Sequence, residues 1–247
     1  MPCRTYSKPS LIVIVSGAAP CVGVYRTANG GDSWTLAGHL ESAGMQAWQV
    51  DFADATHGWA VGVGGLLLVT ADGGATWTEQ AIPGVTGTPV LLTAVKAVNA
   101  STAWVGSAGG MLLKTEDGGA TWLGQLSGTT EQVNSIDAVD GSRAWAGCGS
   151  SWPGMASLVA TTDGGATWVQ QPHPGEGPIS SLRFVDASHG WAVGIFGLVM
   201  ATTDGGATWT LQQSGTTQDL LQVVALGAAT AWISTPSGLL GTSSGGF

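Results

Sequence analysis

Charge is scarce in this sequence, and positive charge is the scarcer kind. Only 9% of the 247 residues are charged, and 7 Lys and Arg face 16 Asp and Glu, giving a formal net charge of -9. Proteins that hold a phosphate backbone do so with clustered basic side chains, and no such electrostatic surplus exists here. We therefore expect no nucleic-acid partner.

Cysteine and long apolar runs are also in short supply. The three cysteines, Cys3, Cys21 and Cys148, contain no Cys-x-x-Cys pair, so neither a zinc knuckle nor a full disulfide framework is indicated. No stretch approaches the roughly 20 apolar residues that a membrane-spanning helix needs. The sequence predicts a chain without a metal or cofactor that does not span a membrane.

The N-terminal segment partly imitates a secretion signal. Arg4 and Lys8 precede an apolar run at 11–15, and small residues follow it. The run is short, Pro20 stands immediately before Cys21, and the segment also fits the repeat described next. A β-strand is favoured here over a targeting signal, and the compartment is left open.

Glycine, by contrast, is abundant, and many of its 40 copies belong to a repeated octet. Five octets follow the pattern T-x-[DN]-G-G-x-[ST]-W, and their closing tryptophans recur 41 to 46 residues apart, at Trp34, Trp77, Trp122, Trp168 and Trp209. This interval is typical of one four-stranded propeller blade.

A second tryptophan precedes each later octet or the degraded sequence TSSGGF at the C-terminus. These residues lie in short β-like runs, at Trp59, Trp104, Trp145, Trp191 and Trp232, which leaves Trp48 and Trp152 outside both columns. Counting back from them predicts inner strands at 50–54, 95–99, 136–140, 182–186 and 223–227. The order in each blade is then inner strand, tryptophan strand, third strand and outer strand.

The sequence as a whole predicts an all-β protein, a β-propeller forming a single domain over residues 1–247. We count five inner, six second, six third and five outer strands, which indicates about six blades with incomplete first and last blades. Five closed blades are the alternative.

The third position of each octet has a structural explanation. A carboxylate or amide there accepts backbone N–H groups of its own turn, and Gly-Gly supplies the positive φ angles of a tight hairpin. We assign this role to Asn29, Asp72, Asp117, Asp163 and Asp204.

These octets resemble the BNR or Asp-box repeat of sialidases, sortilin-type receptors, xyloglucan-active glycosidases and photosystem II stability/assembly factors. The longer phrases at 57–77 and 189–209, both beginning HGWAVG, are most similar to the last group. The resemblance implies a propeller of the WD40/YVTN-like repeat type that holds a membrane-protein subunit without catalysis. It is also compatible with an extracytoplasmic location.

One charged column lies on the predicted inner strands. Eight residues before the second tryptophan stand Asp51, Lys96, Asp137 and Arg183, whose signs alternate from blade to blade. We predict an ion-pair ring around the channel, with at least one pair between adjacent blades within about 4 Å. A functional channel mouth is the alternative.

Candidate binding residues fall in the loops opposite the boxes. The longest insertion, at 149–157, contains residue types that anchor interfaces. The candidates on this loop face are His39, Glu131, Trp152, Pro153, Met155, His173, Glu176 and Phe196.

We assign no catalytic residue. The sequence favours a non-catalytic scaffold with a protein partner, which the resemblance implies is a membrane-protein subunit. A glycan is the other partner considered. The alternative function is a glycan-binding or glycoside hydrolase propeller, although the sialidase arginine clamp is not readable from Arg4, Arg26, Arg143 and Arg183, which lie in separate repeats.

Overall fold

A computed structural model describes residues 12–16, 21–27, 29, 31–41, 47–82, 90–150 and 157–245. Within these ranges the chain forms 22 strands, arranged as six antiparallel sheets, together with two short 3-10 turns. This is the β-propeller architecture that the repeat predicts. We number the sheets 1 to 6 in chain order.

Sheets 1 to 3 are formed by the first eleven strands. Sheet 1 contains β1 (Ile12–Ser16), β2 (Cys21–Arg26) and β3 (Thr35–Glu41). Sheet 2 contains β4 (Ala47–Phe52), β5 (Gly58–Gly62), β6 (Leu67–Thr70) and β7 (Thr78–Glu79). Sheet 3 contains β8 (Leu92–Ala97), β9 (Ala103–Ser107), β10 (Leu112–Thr115) and β11 (Leu123–Gln125).

Sheets 4 to 6 are formed by the remaining strands. Sheet 4 contains β12 (Val133–Ala138), β13 (Ala144–Cys148), β14 (Ser157–Thr161) and β15 (Val169–Gln170). Sheet 5 contains β16 (Ile179–Phe184), β17 (Gly190–Gly194), β18 (Val199–Thr202) and β19 (Thr210–Gln212). Sheet 6 contains β20 (Gln222–Gly227), β21 (Thr230–Thr235) and β22 (Gly238–Thr242).

The chain divides into two compact units. Met1–Ser107 and Leu113–Gly124 form the first, which holds sheets 1 and 2 and most of sheet 3. Ala108–Leu112 and Gln125–Phe247 form the second, which holds sheets 4, 5 and 6. The single-domain organisation of residues 1–247 stays a prediction.

The strand inventory of the described residues confirms the sequence count, but the predicted inner strands begin too late. The first was predicted at 50–54, whereas β4 begins at Ala47 and ends at Phe52. Asp54 cannot extend the strand because its carboxylate accepts the N–H groups of Thr56 and His57 and turns the chain, at 2.7 and 2.8 Å.

The core of the first unit includes a layer between sheets 1 and 2. Strand alternation directs one face of each sheet toward the preceding sheet. Val24 of sheet 1 packs there with Val50, Ala60 and Leu68 of sheet 2, all buried. Trp77 closes the layer, its ring edge-on to Phe52 with centroids 5.9 Å apart.

The core of the second unit is built in the same way. Trp145 of sheet 4 stacks on Phe184 of sheet 5 with ring centroids 3.7 Å apart, and Trp209 meets the same phenyl ring edge-on. The indole N–H of Trp145 donates to the carbonyl of Gly205, at 2.8 Å, in the Asp-box of sheet 5. The second tryptophan of a sheet thus faces the sheet that follows.

Candidate functional site

The Asp-box is a closed set of hydrogen bonds within one turn. In the box of sheet 4, the Thr161 hydroxyl donates to Asp163 Oδ1 at 2.8 Å and accepts the N–H of Gly165 at 2.9 Å. Asp163 Oδ1 also accepts the N–H of Thr167 at 2.9 Å, and its Oδ2 accepts the Thr167 hydroxyl at 2.6 Å. Both carboxylate oxygens are therefore used locally.

The other boxes follow this pattern. The hydroxyl of the seventh residue donates at 2.6 Å to Asp72, Asp117 and Asp204. These bonds to the ionised form, led by that hydroxyl, lower the pKa of each of the four box aspartates from 3.8 to about 2. In the first box, the Asn29 amide oxygen accepts the N–H of Ser33 at 3.0 Å. The arrangement fixes hairpins and holds the carboxylates ionised.

A second set of turns follows the inner strands. Asp54 and Asp186 each accept two backbone N–H groups, and each carboxylate also lies 2.9 Å from the Nδ1 atom of a histidine, His57 or His189. The Thr56 hydroxyl is the largest cause of a strongly lowered pKa at Asp54. Among the described residues, no three His, Cys, Asp or Glu side chains are grouped to hold a metal ion.

The charged column forms ion pairs between neighbouring sheets within each unit. Lys96 Nζ lies 3.9 Å from Asp51 Oδ2 in the first unit. In the second unit, Arg183 Nη1 lies 3.3 Å from Oδ1 of Asp137, a residue that is only 2% exposed. A ring that joins these pairs around the channel stays a prediction.

Each aspartate of this column also binds the backbone of the next sheet. Asp51 Oδ2 accepts the N–H of Ala97 at 2.9 Å, and Asp137 Oδ2 accepts the N–H of Phe184 at 2.7 Å. A buried backbone N–H left without an acceptor is costly, so these carboxylates link successive inner strands as well as balancing charge. Sequence reasoning identified the charges but missed this backbone contact.

Sequence reasoning also missed three residues that make similar links. Gln49 Oε1 accepts the N–H of Val95 at 3.0 Å, and Ser135 Oγ accepts the N–H of Leu182 at 3.1 Å. The Val223 N–H donates to a third such residue, Ser181, at 3.2 Å. The available signal was a polar side chain two residues before the charged column in three inner strands.

The loop face is partly described. Trp152, Pro153 and Met155 lie outside the described residues, and only the backbone of His39 is described, in β3. The remaining candidates lie in connections between strands, and the structure does not settle whether they form one site. These candidates are Glu131, His173, Glu176 and Phe196.

Glu131 supports the loop that begins after sheet 4's second strand. Its Oε2 atom accepts the Ser150 hydroxyl at 3.0 Å. Burial, followed by the charge of Glu131, raises the pKa of the Cys148 thiol to about 12. The cysteine is thereby kept as an unreactive thiol at neutral pH.

Phe196 has an unusual backbone and an exposed ring. It is the one non-glycine residue of the described chain with positive φ, at 55°, and it is 58% exposed. Its N–H donates to Asp219 Oδ1 at 3.2 Å. Such strain marks a residue whose placement needs an explanation beyond local folding preference.

The repeat can now be compared with known proteins. The sequence profile of the family described as photosynthesis system II assembly factor YCF48 matches residues 33–144 and 174–247. The chain belongs to this YCF48 family. Its membership agrees with the similarity that the two HGWAVG phrases indicate. No curated protein sequence is significantly similar to the chain.

Solved structures of YCF48 share the fold. YCF48 from Cyanidioschyzon merolae is 17% identical, with a TM-score of 0.71 over 94% of this chain and 76% of that one. A structure of YCF48 bound to a D1 peptide is 19% identical, with a TM-score of 0.58 over 83% and 72% of the two chains. At these identities the likeness shows the fold alone.

A glycoside hydrolase also shares the fold. The GH74 enzyme of Niastella koreensis is 16% identical, with a TM-score of 0.73 over 95% of this chain. This YCF48 family member spans only 43% of the length of that enzyme. The comparison therefore carries no activity across. In the described residues, no helix is both long and apolar enough to cross a membrane.

Proposed function

We propose that this chain is a non-catalytic assembly scaffold that binds a protein segment through its loop face. The observation that carries the proposal is membership of a family of assembly factors. The YCF48 structure with a bound D1 peptide supports a protein partner over a glycan. We further propose that the segment belongs to a membrane-protein subunit, as the resemblance implies.

The way the acids are used supports a non-catalytic role. A glycosidase of the usual kind needs two carboxyl groups that face one sugar ring from opposite sides. Here the box aspartates and the acids after the inner strands accept hydrogen bonds in their own turns. On the loop face, Glu131 and Asp219 likewise support neighbouring loops.

Phe196 is the described residue best suited to anchor the partner. Exposed aromatic rings provide much of the binding energy at protein interfaces. The ring stands in a turn whose backbone glycine would satisfy more easily. We propose that the ring contacts the partner and that Trp152, in the long insertion, assists it.

The test is affinity capture from the native host, quantified by mass spectrometry. Phe196→Gly removes the ring and relieves the positive-φ strain, so lost capture would not reflect weakened folding. We expect Phe196→Gly and Trp152→Ala each to deplete the captured protein at least about fivefold. Val169→Ala is the matched control, because Val169 is similarly exposed but lies on outer strand β15.

Two outcomes would contradict the proposal. Equal capture by wild type and both loop variants would remove the loop face as the binding surface. Hydrolysis of xyloglucan or sialosides by the purified chain, abolished by Glu131→Gln or Glu176→Gln, would establish the glycosidase alternative. Unchanged melting temperatures of these variants are required in either case.

A further inference from the structure

The second tryptophan of sheet 6 differs from its four counterparts. Trp59, Trp104, Trp145 and Trp191 are each at most 2% exposed, whereas Trp232 is 47% exposed. Its ring lies across Gly241 of the paired strand β22. Leu239, two residues from Gly241 and so on the same face of the sheet, is 70% exposed. We call Trp232 and Leu239 the sheet-6 surface.

The structure shows what covers this position elsewhere in the repeat. A Cβ placed at Gly119, in the box of sheet 3, would lie 3.3 Å from Trp59 Nε1 of sheet 2. In the second unit, a Cβ at Gly206 of the sheet 5 box would lie 3.5 Å from Trp145 Nε1. The neighbouring Gly205 accepts that indole N–H. The cover is a Gly-Gly turn, which comes close because it has no side chains.

One such turn is itself uncovered. A Cβ placed at Gly31, in the box at 27–34, would meet no atom of the described residues within 4 Å. The corresponding glycines Gly74, Gly119 and Gly206 are buried. The closing residue of this first box, Trp34, is 38% exposed, while its counterparts Trp122 and Trp209 are buried.

We propose that the first box of one copy of this chain covers the sheet-6 surface of a second copy, so that the protein associates head to tail. The first box offers the glycine approach that buries a second tryptophan elsewhere. The sheet-6 surface offers the indole that such a turn receives. The two surfaces differ, so each copy retains a free surface and association continues beyond the dimer unless the copies close a ring.

Sedimentation velocity of the full chain over a range of concentrations tests the association. We expect dimers and larger species, and we expect Trp232→Ser or Trp34→Ser to weaken self-association at least about tenfold. The two variants alter opposite surfaces, so one folding failure leaves the other informative. Leu211→Ser is the matched control, since Leu211 is an exposed apolar residue of outer strand β19.

Cross-linking identifies the contact. Asp32→Cys and Leu239→Cys are combined in a chain whose Cys3 and Cys21 are replaced by serine, and a bis-maleimide joins exposed thiols. Asp32 is the exposed box residue where the other four boxes have alanine. We expect cross-linked dimers and a ladder of larger species, with neither single-cysteine variant giving the ladder.

Three results would overturn the inference. They are a concentration-independent monomer, self-association unchanged by both serine variants, or cross-links formed only within one chain. Capture of the protein partner is measured separately with variants of Phe196 and Trp152. Failure of self-association would therefore leave the proposed function unaffected.

Discussion

Sheets 2 and 5 contain nearly the same phrase, and their turns differ at one informative position. After GWAVG, both chains form a 3-10 turn, Val63–Gly65 in sheet 2 and Ile195–Gly197 in sheet 5. The Gly62 and Gly194 N–H groups close the two turns with 3.0 Å bonds to Leu66 and Leu198. The middle residue is Gly64 in one and Phe196 in the other.

The two turns have the same backbone despite this substitution. The φ angle is 75° at Gly64 and 55° at Phe196. The flanking hydrogen bonds and the glycine that follows impose the left-handed conformation, although phenylalanine disfavours it. The comparison teaches that the repeat fixes the path of the turn while its tip is free to present a side chain.

The following glycines, Gly65 and Gly197, share positive φ but not surroundings. A Cβ at Gly65 would find its nearest neighbour, the flexible end of Ile82, at 3.4 Å. At Gly197, a Cβ would clash with the Thr216 backbone carbonyl. The turn of sheet 5 is therefore pressed against its neighbouring loop, and the turn of sheet 2 has more room.

The largest expected difference between the sister turns comes from alanine at these glycines. Gly197→Ala should lower the free energy of unfolding by about 3–4 kcal/mol, from positive-φ strain plus the backbone clash. Gly65→Ala should cost only about 1 kcal/mol, from the strain alone. Chemical denaturation measures both, and equal losses would show that the surroundings of the turns do not differ in effect.

The inner strands of the sister sheets provide a smaller contrast. Asp51→Ala should cost about 2 kcal/mol because the N–H of Ala97 loses its acceptor. Arg183→Ala should cost less than about 1 kcal/mol, since its side chain is partly solvent-exposed and its ion pair is screened. Denaturation of the two variants in low and high salt checks the order. A larger loss for Arg183→Ala would make charge balance, rather than the backbone link, the main stabilising contact.

The smallest difference is expected between the two boxes, because Asp72 and Asp204 make matching bonds. Each alanine variant should lower the melting temperature at pH 7 by roughly 2–4 °C. The folded pKa of about 2 lies below the ordinary value of 3.8, so the carboxylate stabilises the fold above about pH 4. That stabilisation is lost as pH falls toward 2.

Melting curves from pH 7 to pH 2 follow this loss. The gap between wild type and each variant should narrow below about pH 4 and should narrow alike for Asp72→Ala and Asp204→Ala. A gap that stays constant would show that the carboxylate charge does not contribute. A gap confined to one variant would break the equivalence of the two boxes.

Sequence alone predicted the fold and the local turns because their causes lie close together in the chain. The box pattern identified the side chains that accept hydrogen bonds four residues away, as in Asp163 and Thr167. It could not predict that Asp51 binds the N–H of Ala97, since that contact depends on the offset between successive sheets. It also could not predict the left-handed Phe196 or the exposed Trp232, because each stands in a column whose other members behave differently.

The links between inner strands have a consequence for how the protein unfolds. They join each strand to the following one, about 46 residues along the chain, as from Asp137 to Phe184. Cooperativity built from such nearest-neighbour couplings behaves like a one-dimensional array, in which terminal elements have fewer couplings than internal ones. Hydrogen exchange should therefore be fastest at the ends of the array, so unfolding proceeds by fraying before the central sheets lose their protection.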